Sequence, residues 1–190
     1  MFRCWTAPLL STAVLLALTC AGASPAPAAD ACAALTPDQV AQLFGVEPST
    51  VTEAAGEAGR FGENKSDCKW SFSHGGIQSD LVIFVRERTP KMRGDDPLGA
   101  AVRAFIERGE EVSSSKRLPY RAFELEGTPT AALSDDFAFN RYSTMRSLAF
   151  TEGDRRFWKL TLSHHLAEPG AELPAIPPEP LVAAAVATGR

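Results

Sequence analysis

Cys32-Ala33-Ala34-Leu35-Thr36-Pro37-Asp38-Gln39-Val40-Ala41-Gln42-Leu43-Phe44-Gly45 and, further on, Cys68-Lys69-Trp70-Ser71-Phe72 are the two segments from which the fold is read. The first carries a complete set of helix signals. Thr36 is an N-cap residue and Pro37 stands at the first helical position, where its missing N–H costs nothing. Gln39, three residues after Thr36, can reach back to the cap, and Leu35 and Val40 occupy the two positions of a hydrophobic staple. Gly45 suits the left-handed position that ends a helix. The spacing predicts a helix over 37–44. Being so short, it must be held by packing through Val40, Leu43 and Phe44. The second segment alternates, so Cys68, Trp70 and Phe72 face one side of a strand. A Cys32–Cys68 disulfide would tie the helix start to that strand and contribute about 4 kcal/mol by loop closure.

The residues upstream of Cys32 bear on the compartment. Met1-Phe2-Arg3 precedes an apolar run from Ala7 to Leu18, then small residues at Ala21-Gly22-Ala23 and Ala26-Pro27-Ala28. This pattern predicts a secretory signal peptide over 1–23, with an alternative cleavage at 28. The run is too short for a comfortable membrane span. An Ala/Pro leader would occupy 24–31 and a single α+β domain 32–190. Cys20 offers a lipid anchor as an alternative, although Thr19 stands where a lipoprotein signal places a small residue. Of the four cysteines, Cys4 and Cys20 fall in the predicted signal peptide, which leaves Cys32 and Cys68 as one staple. The net charge of −4 becomes −5 once Arg3 is removed. A mildly acidic chain of this kind is no general nucleic-acid or anionic-membrane binder.

Working outward from the staple, residues 46–54 suggest a short edge strand and 54–67 a polar loop in which Phe61 is the one larger apolar residue. His74-Gly75-Gly76 turns the Trp70 strand into a second one, Ile77 to Arg86. The continuous apolar centre of that strand, Leu81-Val82-Ile83-Phe84-Val85, implies cover on both faces. After a positively leaning loop at 87–94, Asp96 and Pro97 start a second helix, with Leu98, Ala101, Val102, Phe105 and Ile106 on one face. Residues 110–118 and 130–136 read as polar connectors, with a short alternating strand over 120–125 between them. Residues 137–150 fit one or two strands with a bend or bulge. Glu152-Gly153-Asp154 turns into a strand from Arg156 to Ser163. Trp158, Leu160 and Leu162 lie on one side of it, Lys159 and Thr161 on the other. The prolines between 168 and 180 exclude a central strand, and a small helix is expected from about Pro180. The fold class expected is α+β: a mostly antiparallel sheet with two helices packed on it, on one face.

Cys32, Leu43-Phe44-Gly45, Cys68-Lys69-Trp70, the 97–108 helix and Gly153-Asp154 together resemble small exported bacterial proteins and lipoproteins, some with the PsbP-like α/β/α sandwich. The resemblance implies that sandwich as the fold and carries over no catalytic residues.

The residues available for chemistry are few. His164 and His165 follow a strand, but adjacent residues there point to opposite sides and make no two-ligand metal site. With His74 they are read as surface histidines. Asp135-Asp136 and Asp154 lack calcium-loop spacing and read as turn residues. Ser113-Ser114-Ser115 carries no nucleophile motif, and neither a Cys-x-x-Cys nor a glycine-rich nucleotide loop is present. Trp70 and Trp158 are core residues, with a groove or contact patch as the alternative for one of them. No cofactor or metal is expected. The expected function is that of a non-catalytic envelope or secreted binding protein, for an envelope protein or a small ligand, through a sheet face or the 54–67 and 87–94 loops. The alternatives are a small extracytoplasmic hydrolase using His164 or His165 with a carboxylate, and a structural subunit of an envelope complex.

Overall fold

A computed structural model describes residues 30–56, 64–166 and 173–188. The predicted signal peptide with Cys20, most of the leader, Phe61 and the Glu168-Pro169-Gly170 stretch lie outside the described residues. Helix α1 spans Pro37–Phe44 as the caps require. Thr36 Oγ1 accepts from the Gln39 N–H at 3.2 Å, and Gln39 Oε1 accepts from the Thr36 N–H at 2.8 Å. Gly45 closes the helix at φ 64°, a left-handed conformation that favours glycine. A 3-10 turn over Cys32–Ala34 precedes α1, and Cys32 is disulfide-bonded to Cys68 with their Cα atoms 5.0 Å apart.

The strands are β1 (Thr52–Ala55), β2 (Lys65–His74), β3 (Ile77–Glu87), β4 (Glu110–Ser113), β5 (Lys116–Leu118), β6 (Tyr120–Phe123), β7 (Ala131–Ser134), β8 (Phe137–Asn140), β9 (Ser143–Glu152) and β10 (Arg156–Leu166). Eight of them form one sheet in the order β1-β2-β3-β10-β9-β7-β6, with β8 added to β9, while β4 and β5 pair separately. Every strand pairing among the described residues is antiparallel. The protein is therefore α+β on a mostly antiparallel sheet.

Three helices pack on the sheet among the described residues, where two were expected to: α1, α2 (Pro97–Arg108) and α3 (Glu179–Thr188), the last being the small helix expected from about Pro180. They do not share a face, which corrects the one-sided packing expected from the sequence. On one face Leu81, Ile83, Val85, Leu148, Phe150, Trp158, Leu160 and Leu162 form a core with Val40 of α1 and Leu181 and Ala185 of α3. The opposite parity of the same strands forms a second core, in which Ala132, Ala149 and Phe157 meet Leu98 and Val102 of α2. Two covered faces explain the uninterrupted apolar run in β3. The alanines at 132 and 149 leave room for α2 to approach the sheet. Its start is fixed by Asp96, whose carboxylate accepts from the Gly99 N–H at 2.9 Å and pairs with Arg103 at 2.8 Å.

Three segments expected to be loops contain strands. Residues 65–67 belong to β2, because Gly56 N–H donates to the Asp67 carbonyl and Glu87 N–H to that of Asn64, extending the ladder beyond the apolar part. Residues 110–118 form the β4–β5 hairpin, where Glu111 and Arg117 are cross-strand partners 3.5 Å apart and only Leu118 is fully buried. Within 130–136 lies β7, buried at every position, including Ser134, whose Oγ accepts from Ser147 N–H and donates to the Asp135 carbonyl. The short edge strand falls at 52–55, after a 3-10 turn at Pro48–Thr50. The bulge expected over 137–150 is found between β8 and β9, at Ala138/Asn140.

Candidate functional site

On the second face, α2 lies over β6, β7, β9 and β10. Beside it opens a cleft of about 350 Å³ whose walls include Val82, Phe84, Phe105 and Phe157. Register explains its floor: Phe84 of β3 lies opposite Lys159 of β10 and opposite Asp67 of β2, so all three share this face. Phe105 reaches in from α2, stacked on Tyr120 at 5.1 Å.

The polar part of the cleft is a chain of three residues. The Lys159 ammonium is ion-paired with Glu110 Oε1, each side chain about one-fifth exposed, and sits 6.0 Å from the centre of the Phe105 ring. Tyr120 donates its O–H to Glu110 Oε2 at 2.7 Å. Burial pushes the Tyr120 phenol well above its ordinary pKa, and the negative charge of Glu110 and the hydrogen bond to it push the same way. Tyr120 is thus a fixed donor, and Glu110 has both oxygens engaged. Beside them Ser147 and Thr161 share a hydroxyl–hydroxyl bond of 2.9 Å. Glu110 is brought here by the β4–β5 hairpin, which follows α2 directly.

Two further hollows among the described residues have polar side chains already paired with one another. One of about 280 Å³ lies between α3 and the 125–128 turn, and its Glu152 already accepts from Trp158 Nε1 at 3.1 Å. Another of about 390 Å³ near Arg88 is crossed by the Arg88–Asp154 and Arg156–Glu87 pairs.

The residues singled out from the sequence are dispersed. His164 and His165 point to opposite faces, as alternation requires. His164 is half-buried and its Nδ1 has no hydrogen-bond partner among the described residues. Burial lowers its pKa, the Asp136 charge opposes that shift, and His165 adds to it. His165 Nε2 lies 3.8 Å from Asp80 Oδ2, and Lys69 reaches the same oxygen at 3.6 Å. Ser71 donates its O–H to Asp80 Oδ1 at 2.6 Å. The serine proton is therefore directed to the carboxylate and not to the imidazole, which is the reverse of what a serine nucleophile needs. Asp135 is exposed and pairs with Arg121 at 3.7 Å, while Asp136 accepts from Thr144. His74 is exposed at the end of β2. Trp70 and Trp158 are buried in the first core. Among the described residues, one group of potential metal donors occurs: Cys32, Cys68 and Glu53, within 4.8 Å of one another. The two sulfurs are joined, so this is a disulfide with a carboxylate neighbour.

Glu110, Tyr120 and Lys159 were not singled out from the sequence. The signal for them was indirect: the apolar Val82 and Phe84 imply cover on the face that Lys159 shares. No helix among the described residues is long and apolar enough to cross a membrane. Comparison of the chain with family models, curated proteins and solved structures finds no match.

Proposed function

We propose that this protein is a non-catalytic, exported binding protein whose ligand site is the cleft between α2 and the β3–β10 part of the sheet. One observation carries this reading: an apolar hollow of about 350 Å³ with a lysine–glutamate pair at its wall, braced from behind by a buried tyrosine. Apolar walls with a few fixed polar groups are the usual composition of a small-molecule site. Export is supported by the leader sequence and by the disulfide at the start of the domain. The helix–sheet–helix layering supports the PsbP-like sandwich as the family likeness.

The binding site is tested by NMR titration of isotope-labelled protein with small apolar acids, alcohols and amines. The amides of residues 82–84, 105 and 157–161 are expected to shift together and to saturate. Saturable shifts confined to another part of the molecule would overturn the assignment. Export is tested separately by cell fractionation, in which cytoplasmic protein with free thiols at Cys32 and Cys68 would refute it.

A further inference from the structure

The cleft's charges are not equivalent, and the difference selects a ligand class. This inference rests on the cleft reading above. Lys159 is the one cation among the described residues of the cleft wall. Its ammonium has three N–H donors, and Glu110 is its one polar partner among the described residues. About four-fifths of the side chain is removed from water, so the remaining donors are poorly served by solvent. Of the two carboxylates in the cleft lining, Glu110 is fully engaged. Glu110 has one oxygen on Lys159 and the other on Tyr120. The Asp67 carboxylate, at the edge of the lining, packs against Gly56, where an added Cβ would stand 2.0 Å from Asp67 Oδ1.

The surrounding face adds to the asymmetry. Lys65 and Arg86 are direct cross-strand partners on this same face, and neither has an acidic partner among the described residues. Like charges placed opposite each other on a sheet repel, and an anion arriving nearby relieves that repulsion. Lys65, Arg86 and Lys159 thus share one face with Asp67 and Glu110, in a chain of net charge −4.

We propose that the cleft binds a monocarboxylic acid with an aromatic or medium-chain alkyl body, its carboxylate on Lys159 Nζ and its apolar part against Phe105, Phe157 and Val82. Glu110 and Tyr120 are positioning residues: they hold the ammonium at the wall and leave its outer donors for the ligand.

The test uses 3-phenylpropanoate, 3-phenylpropan-1-ol and 3-phenylpropan-1-amine, which share one skeleton and differ in charge, followed by calorimetry and NMR on wild type, Lys159→Met and Lys159→Arg. The acid is expected to bind at least about tenfold more tightly than the alcohol. Lys159→Met should bring the acid down to the level of the alcohol, and Lys159→Arg should keep most of the preference. Since Lys159→Met leaves Glu110 without its counter-ion, circular dichroism checks its fold, and Lys159→Arg supplies the answer if that variant does not fold. Equal binding of acid and alcohol, or preference for the amine, overturns the carboxylate assignment while the cleft remains the site. Failure of all three probes to shift cleft amides overturns both.

Discussion

The Tyr120 hydroxyl and Glu110 Oε2 are 2.7 Å apart, with the tyrosine 7% exposed, so a neutral phenol holds one oxygen of the carboxylate that pairs with Lys159. Tyr120→Phe keeps the ring stacked on Phe105 and removes the donor alone. A hydrogen bond to a charged group of this kind is worth about 1.5–3 kcal/mol. Chemical denaturation is expected to show a loss of that size, and ligand affinity should fall along with the fixed position of Lys159.

Glu53 places a carboxylate beside the Cys32–Cys68 bond. A thiolate attacking either sulfur approaches against that charge, and the departing thiolate forms next to it. Glu53→Gln is expected to speed reduction by dithiothreitol about two- to fivefold, with the difference shrinking as salt screens it. Unchanged rates at low ionic strength would mean that the carboxylate exerts no influence on exchange.

The cap of α1 is reciprocal, with Thr36 and Gln39 each satisfying the other's backbone N–H. Thr36→Ala removes one half of it and is expected to lower stability by about 1 kcal/mol. Urea unfolding should show a lower midpoint with an unchanged slope, since the surface exposed on unfolding stays the same.

Burial holds the His164 imidazole below its ordinary pKa in the folded protein, with Asp136 opposing and His165 reinforcing. The unfolded chain therefore binds more protons near pH 6, and stability rises with pH there. The contribution is fully present above about pH 6.5 and is lost as pH falls toward the folded pKa. His164→Gln is expected to flatten the decline in denaturation midpoint between pH 7.5 and pH 5. A parallel decline in wild type and variant would assign it to other groups.

The helices were legible because their signals are local. Thr36 with Gln39, and Asp96 with Pro97, mark starts that the backbone obeys, and Gly45 and Gly109 mark the ends. Strand β10 was legible because Trp158, Leu160 and Leu162 alternate with polar residues, although it extends to Leu166. Strand β7 was hidden because Ala131-Ala132-Leu133-Ser134 is chosen to fit between β6, β9 and α2, and small residues carry no strand signal of their own. The β4–β5 hairpin was hidden because charged pairs and a single buried leucine hold it.

The site was hidden for a related reason. Lys159 falls on the polar parity of an alternating strand, which in a one-faced sheet would point into solvent. It is drawn into a wall only because α2 crosses that face and the hairpin after α2 delivers Glu110. Both are tertiary events, and the apolar pair Val82 and Phe84 on the neighbouring strand was their one trace in the sequence.

The bond from Cys32 to Cys68 also governs what a broken chain can do. Cleavage of any peptide bond between those two residues yields pieces that stay one molecule, travelling as a single species in a denaturing gel until a reductant is added. Unravelling from the leader side likewise stops at residue 32, where the chain is moored covalently to the middle of β2.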